Sequence, residues 1–504
     1  MKTKIDLFLL LLVSFIVFFT WKGILNQGID GEGFYYFSYA ESKISLKSLL
    51  TYYDNFPRIS TTILGNIFQG NMQSFMDFQL VIIILLACTI YLFVKSVTNN
   101  RWISLMASIY FGVNFSGGFQ IYARGHFQWF TQRVFELFPF ILSTYFLLKF
   151  IRTNKKIDYL FSFLLFAFSL IMTHYTTLLL PFYPAILISS ALLKKQPLKR
   201  KLLYIVLSLP FVILNYLIVQ NSSLGPNVVR PNQSFFTVFL QTPDLIYKVS
   251  YQLVVNTLPL SFLIPFKFID VSNIKTIIYW LMIPTYFFYM FIFWFLHKKK
   301  VYYFNFIIAC FLALIGTFFL NVYVNRVKNI YDEIFQGRYF YIPSFYVGII
   351  LSSFIGNLIP DKLLGKKYLK SVLIIAIIFI WSFSNVKLID SKIHDSQYMH
   401  TGGRVILDFL NKNKNNFPDN SIIFLPNPLM PGGKDFLQKY YNNPSKSIDY
   451  QFIDIQWKDD IPKNFNPKNI FVFSYTDEYK KGGNAQINKI LIKDDSEEYR
   501  NVSL

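Results

Sequence analysis

Charge is scarce in this chain, and negative charge scarcest. Only 15% of its 504 residues are charged, against roughly 25% in soluble domains. Of 28 Asp and Glu, 13 precede Asp390 and 15 lie from it onward. So few acids over 389 residues are a poor fit to a soluble globular domain. Cysteine is nearly absent too. Cys88 and Cys310 both fall inside apolar runs and the tail has none, so they read as packing residues, and no disulfide framework supports the tail. There is no H-E-x-x-H helix, no Walker loop, no G-x-S-x-G elbow and no Cys/His cluster. Zinc hydrolase, ATP-driven pump and serine hydrolase chemistry are therefore not expected. An internal repeat, common in transporters, is also missing.

Hydrophobic residues make up 53% of the chain and aromatics 19%, the composition of a polytopic α-helical membrane protein. A spanning helix needs about 20 mainly apolar residues. Eleven segments qualify: 6–23, 78–97, 102–121, 134–151, 157–173, 175–193, 202–219, 276–297, 301–320, 339–359 and 371–389. The net charge of +21 belongs entirely to this part, with 34 basic and 13 acidic residues before Asp390 and 15 of each after it. The excess falls into clusters at alternate connections: Lys2/Lys4, Lys95/Arg101, Arg152/Lys155/Lys156, Lys194 to Lys201, Lys298 to Lys300 and Lys362 to Lys370. The positive-inside rule makes those connections cytoplasmic, so the amino terminus lies inside and the tail outside. This distribution gives no reason to expect nucleic acid as a partner. The first segment follows Lys2 and Lys4 but precedes no A-x-A-like cleavage site, which favours a retained anchor over a signal peptide.

The expected organisation is a transmembrane module over 1–389, with outer loops 24–77 and 220–275, and a soluble extracytoplasmic α/β domain over 390–504. Amphipathic stretches in the two loops, among them Leu245-Ile246-Tyr247-Lys248-Val249, are expected to lie along the membrane surface. The run 249–266 is apolar enough for a re-entrant segment. In the tail, Ser421 to Leu425, Gln451 to Ile455 and Asn469 to Phe473 read as strands, with helices over Arg404 to Asn411 and Lys434 to Tyr441.

The residues suited to chemistry gather at the outer connections. Asp30 and Glu32 stand two apart in Gly28-Ile29-Asp30-Gly31-Glu32-Gly33. A carboxylate there can take a proton from an attacking hydroxyl or help hold a divalent metal. The plain alternative is two solvated loop acids. Arg124 and His126, and Arg133 three residues before Glu136, follow in the second outer connection. They can donate to a phosphate, although Arg133 and Glu136 share a helix face and suit an ion pair. His174 sits in a very short outer turn, where an ionisable group is a functional candidate or an ordinary interfacial residue. Asp332, Glu333 and Arg338 precede the tenth span, and Tyr339 opens it. Arg338 can bind a lipid phosphate bidentately or pair with Asp332 or Glu333.

This pattern resembles the GT-C superfamily of membrane glycosyltransferases, which includes protein O-mannosyltransferases, the aminoarabinose transferase acting on lipid A, and oligosaccharyltransferase catalytic subunits. The likeness rests on Asp30-Gly31-Glu32 in the first outer loop, about eleven spans, Gly337-Arg338-Tyr339 followed by Pro343, and a soluble domain closing the chain. The superfamily motif often reads Asp-Glu in adjacent positions. Here Gly31 intervenes, which leaves the base open between Asp30 and Glu32. The resemblance implies a polyprenyl-phosphate sugar donor, an extracytoplasmic acceptor hydroxyl, inversion at the anomeric carbon, and a cell-membrane location. Some members use a divalent ion and others do not. Three other classes compete: an O-antigen-type polymerase or ligase, a lipid-linked glycan transporter, and a non-catalytic scaffold.

Overall fold

A computed structural model describes residues 2–26, 67–68, 72–114, 130–172, 179–193, 197–221, 244–257, 274–327, 341–360 and 368–387, and five strands over 422–426, 451–455, 470–474, 489–493 and 499–502. The chain separates into two compact units. One is Met1–Lys22, Leu46–Ser60 and Val81–Ile389; the other is Gly23–Ser45, Thr61–Leu80 and Asp390–Leu504.

The described helices are α1 (Lys2–Trp21), α2 (Met72–Thr98), α3 (Arg101–Val113), α4 (Phe130–Thr153), α5 (Lys156–Met172), α6 (Phe182–Leu193), α7 (Leu198–Asn221), α8 (Leu245–Thr257), α9 (Ile274–Lys298), α10 (Phe304–Val327), α11 (Tyr341–Leu358) and α12 (Tyr368–Lys387). Each of the eleven apolar segments holds one of them, and α8 is additional. Six are long and apolar enough to cross a membrane: α1, α2, α7, α9, α10 and α12. In a bilayer the backbone must satisfy its own polar groups, which a helix does. The outward side chains agree. Trp280, Ile283, Phe287, Met290 and Trp294 recur at helical spacing along α9 and are each more than half exposed. Such a continuous apolar stripe suits lipid, not water. The first unit is thus a helical membrane bundle.

The basic connections are tight where they are short. Asn99 and Asn154 adopt φ of 49° and 58°, a left-handed conformation that Asn tolerates. Their amides donate to Lys95 O at 2.8 Å and Phe150 O at 2.7 Å, which closes α2 and α4. Asn100 then caps α3, accepting from the amides of Trp102 at 2.9 Å and Ile103 at 3.2 Å. Contacts among these connections gather them at one end of the bundle. Asp6 accepts from Tyr91 Oη and Arg101 Nε, each at 2.9 Å, and pairs with Lys95. Arg200 donates to Asn154. Asn357 Nδ2 donates to Tyr303 Oη at 2.8 Å, and Lys370 Nζ to Gly356 O at 3.1 Å.

Close helix approach rests on small residues, as expected where lipid provides no hydrophobic drive between helices. α3 packs on α11 with Gly348 against the Tyr110 ring, where an added Cβ would lie 2.9 Å from Tyr110 Cδ1. That ring has nowhere to retreat. It stacks on Trp381 with centroids 4.9 Å apart, and its hydroxyl donates to Asn256 O at 2.7 Å. Gly348→Val is therefore expected to destabilise the bundle by about 1–3 kcal/mol. A thermal midpoint in detergent equal to wild type would refute this packing.

The second unit contains a mixed five-stranded sheet. Its strands are β1 (Ile422–Pro426), β2 (Gln451–Ile455), β3 (Ile470–Ser474), β4 (Lys489–Lys493) and β5 (Tyr499–Val502), in the order β2-β1-β3-β4-β5. β1 pairs in parallel with β2 and β3, while β3–β4 and β4–β5 are antiparallel. The first three match the expected strands to within one residue. The helices expected over Arg404 to Asn411 and Lys434 to Tyr441 lie outside the described residues, as does the rest of an α/β domain.

Candidate functional site

Asp30, Glu32, Arg124, His126, His174, Asp332, Glu333, Arg338 and Tyr339 lie outside the described residues. Arg133 and Glu136 belong to the opening turns of α4. The structure does describe the helix ends from which these segments leave. Trp21 at the end of α1 donates its indole N–H to Gly112 O at 2.7 Å, near the end of α3. Phe345, in the first turns of α11, meets Phe111 of α3 edge-on at 6.5 Å and Phe140 of α4 at 5.9 Å. Phe182, opening α6, meets Phe140 at 5.6 Å and stacks on Tyr346 of α11 at 6.0 Å. Aromatic pairs of this kind contribute about 0.5–1.5 kcal/mol each beyond area burial. These rings tie α3, α4, α6 and α11 together through the middle of the bundle, and they continue to the start of α10 and the second half of α2, where Phe182 meets Phe306 at 6.1 Å and Phe345 meets Phe93 at 6.3 Å. The chain runs on from α1 towards Asp30 and Glu32, and from α3 towards Arg124 and His126. It enters α6 soon after His174, and α11 directly after Arg338 and Tyr339.

Helix α8 lies inside the bundle, packed against α9, α10 and α11. Every residue from Lys248 to Thr257 is buried. This corrects the expectation that 245–249 lies flat on the membrane, which holds only for Ile246, at 80% exposure. The reason is a polar stripe, Lys248, Gln252 and Asn256, at i, i+4 and i+8 on one helix face. Its groups find partners in the bundle. Asn321 Nδ2 donates to Gln252 Oε1 at 3.1 Å, and Gln252 Nε2 donates to Phe318 O at 3.4 Å. The Thr257 and Tyr289 hydroxyls lie 2.8 Å apart, and Lys248 pairs with Asp244 at 3.0 Å. With 13 residues, α8 is too short to span the roughly 30 Å hydrocarbon core.

Two amides in this region keep unused hydrogen-bonding capacity. Among the described residues Asn256 Oδ1 has no partner, and neither amide atom of Asn114, just past the end of α3, has one. Both residues are buried. Leaving such a group unpaired costs about 1–3 kcal/mol, so a buried vacancy of this kind calls for an explanation. The amide oxygen of Asn256, a residue whose backbone carbonyl holds the Tyr110 hydroxyl, can accept from a hydroxyl-bearing ligand. The sequence signal for this seam is polar residues spaced by four in the apolar run 245–257.

Among the described residues no three His, Cys, Asp or Glu side chains come together as a metal site. Asp30 and Glu32 lie outside them, so no step is assigned to a metal ion. No family model and no curated protein matches the chain.

Proposed function

We propose that this protein is a membrane glycosyltransferase of GT-C type, moving a sugar from a polyprenyl-phosphate donor to an acceptor hydroxyl at the extracytoplasmic face of the cell membrane. In this proposal the basic end of the bundle is cytoplasmic, eleven helices span, and the tail folds outside as an α/β domain. What supports the reading is the sequence pattern: the acid pair Asp30 and Glu32, the basic residues Arg124, His126 and Arg133, and Arg338 all fall in connections that alternate with the basic clusters. The acceptor oxygen attacks the anomeric carbon as the carbon–oxygen bond to phosphate breaks. Asp30 or Glu32 takes the acceptor's proton. Prenyl phosphate leaves with its charge stabilised by Arg338, assisted by Arg124, His126 or Arg133. A lipid phosphate is a good leaving group, so the enzyme's tasks are orientation and deprotonation. The α8 amides provide a polar lining for a sugar.

One observation favours a second class. Lys248 is 4% exposed on a short helix buried in the bundle, and buried ionisable groups on half-helices mark transport sites. A lipid-linked glycan transporter is the alternative. Mass spectrometry of envelope glycans and prenyl-linked sugars in a deletion strain tests the transferase. One sugar should vanish from the glycan while its prenyl-phosphate donor accumulates. Unchanged glycans would overturn it. Counterflow of labelled lipid-linked sugar in proteoliposomes, with no new covalent product, would assign transport instead.

A further inference from the structure

The end of the bundle that carries the basic connections contains a cavity of about 440 Å³. It lies between the ends of α2, α4 and α6 and the start of α10. Val97, Leu148, Ile151, Ile186 and Phe306 form its apolar wall. Its polar lining includes Arg152, Asn99, Ser190, Tyr302 and Asn305.

Three features of this lining point to an anion. No Asp or Glu lines the cavity, and Arg152 forms no ion pair among the described residues; the acid on the neighbouring turn, Asp158, is held by Lys149 at 3.0 Å. Ser190 is only 2% exposed and borders the cavity. Its neighbour Ser189, equally buried, donates to Ile186 O and Asn305 O. The third feature is the Arg152 charge beside Tyr302. The guanidinium and the phenol both line the cavity, within electrostatic reach of each other.

A guanidinium, a serine hydroxyl, a phenol and two amides above an apolar wall match a phosphate diester with hydrocarbon attached. A guanidinium binds phosphate through paired charge-assisted hydrogen bonds, and basic pockets between membrane helices on the cytoplasmic side accept anionic headgroups. We propose that this cavity binds the phosphate of an anionic phospholipid headgroup, with Arg152 as its main contact and Ser190 as a donor at its floor. The site adjoins the aromatic cluster through Phe306, but it does not depend on the transferase proposal.

The test is native mass spectrometry of the full chain in detergent, titrated with phosphatidylglycerol or with phosphatidylcholine of the same acyl chains. Wild type should retain phosphatidylglycerol about tenfold more tightly, the worth of one charge-assisted hydrogen bond. Arg152→Ala should remove that preference. Because Arg152 is exposed, the variant should keep the wild-type thermal midpoint. Lys156→Ala, which removes a cation near that end but outside the lining, should leave the preference intact. Equal binding of the two lipids, an unaffected Arg152→Ala variant, or an equal loss in Lys156→Ala would each overturn the site. Displacement of the lipid by millimolar inorganic phosphate would make it a soluble-anion site and overturn the lipid assignment.

Discussion

On the proposed transferase reading, Asp30→Asn or Glu32→Gln, whichever removes the base, should lower sugar transfer by about 10²–10⁴-fold, the usual contribution of a positioned proton acceptor. Both changes keep side-chain volume and remove the charge. The acid that is not the base should cost far less, because it only supports its neighbour's position. The pair therefore yields an asymmetric result that also settles which residue is which. The assay is the initial rate of transfer from a prenyl-linked donor in proteoliposomes, with expression and thermal midpoint matched to wild type. Equal and full activity in both variants would exclude a first-loop carboxylate mechanism. It would favour a polymerase or ligase built around basic residues in outer loops. Neither residue lies in an apolar segment, so loss of folding is not a competing explanation.

The apolar segments were legible because a bilayer imposes a length and a composition that few other environments require. Each predicted window contains a helix, though α3 stops at Val113, well before the expected 121, and α6 starts at Phe182 instead of 175. The tail strands β1, β2 and β3 were legible for a related reason, since a run such as Ile470-Phe471-Val472-Phe473 has no other economical place to go. β4 and β5 were not. Lys489-Ile490-Leu491-Ile492-Lys493 is short and bracketed by lysines, and Tyr499-Arg500-Asn501-Val502 is mostly polar. Short, charged strands are common at a sheet edge, where β5 sits in the strand order. Helix α8 was legible only in part: the run 249–266 reads as apolar enough for a re-entrant segment, while Lys248 makes 245–249 look like a surface stretch. Only the tertiary partners Asn321 and the Phe318 carbonyl show that the polar face of α8 turns inward. The candidate site rests on residue types in the connections between helices, and nearly all of the motif residues, Asp30, Glu32 and Arg338 among them, lie outside the described residues.

Arg338→Ala should cut transfer by about 10²–10³-fold, comparable to losing one preorganised donor to developing charge. Two roles compete for this residue, and they predict different rescues. If the guanidinium binds the donor phosphate, Arg338→Lys should recover little, because an ammonium lacks the planar fork that meets two phosphate oxygens at once. If Arg338 only neutralises Asp332 or Glu333, its loss leaves an uncompensated acid, and combining Arg338→Gln with Asp332→Asn or Glu333→Gln should restore activity. A double variant as inactive as Arg338→Gln alone, with unchanged thermal midpoint, is the outcome expected here. Donor binding provides an independent measure. The apparent affinity for the prenyl-phosphate sugar should fall with the guanidinium, but a product analogue carrying the phosphate without the sugar should lose affinity by the same factor. Restoration in the double variant, or undiminished binding of the phosphate analogue to Arg338→Ala, would remove Arg338 from the chemistry and return it to the ion pair.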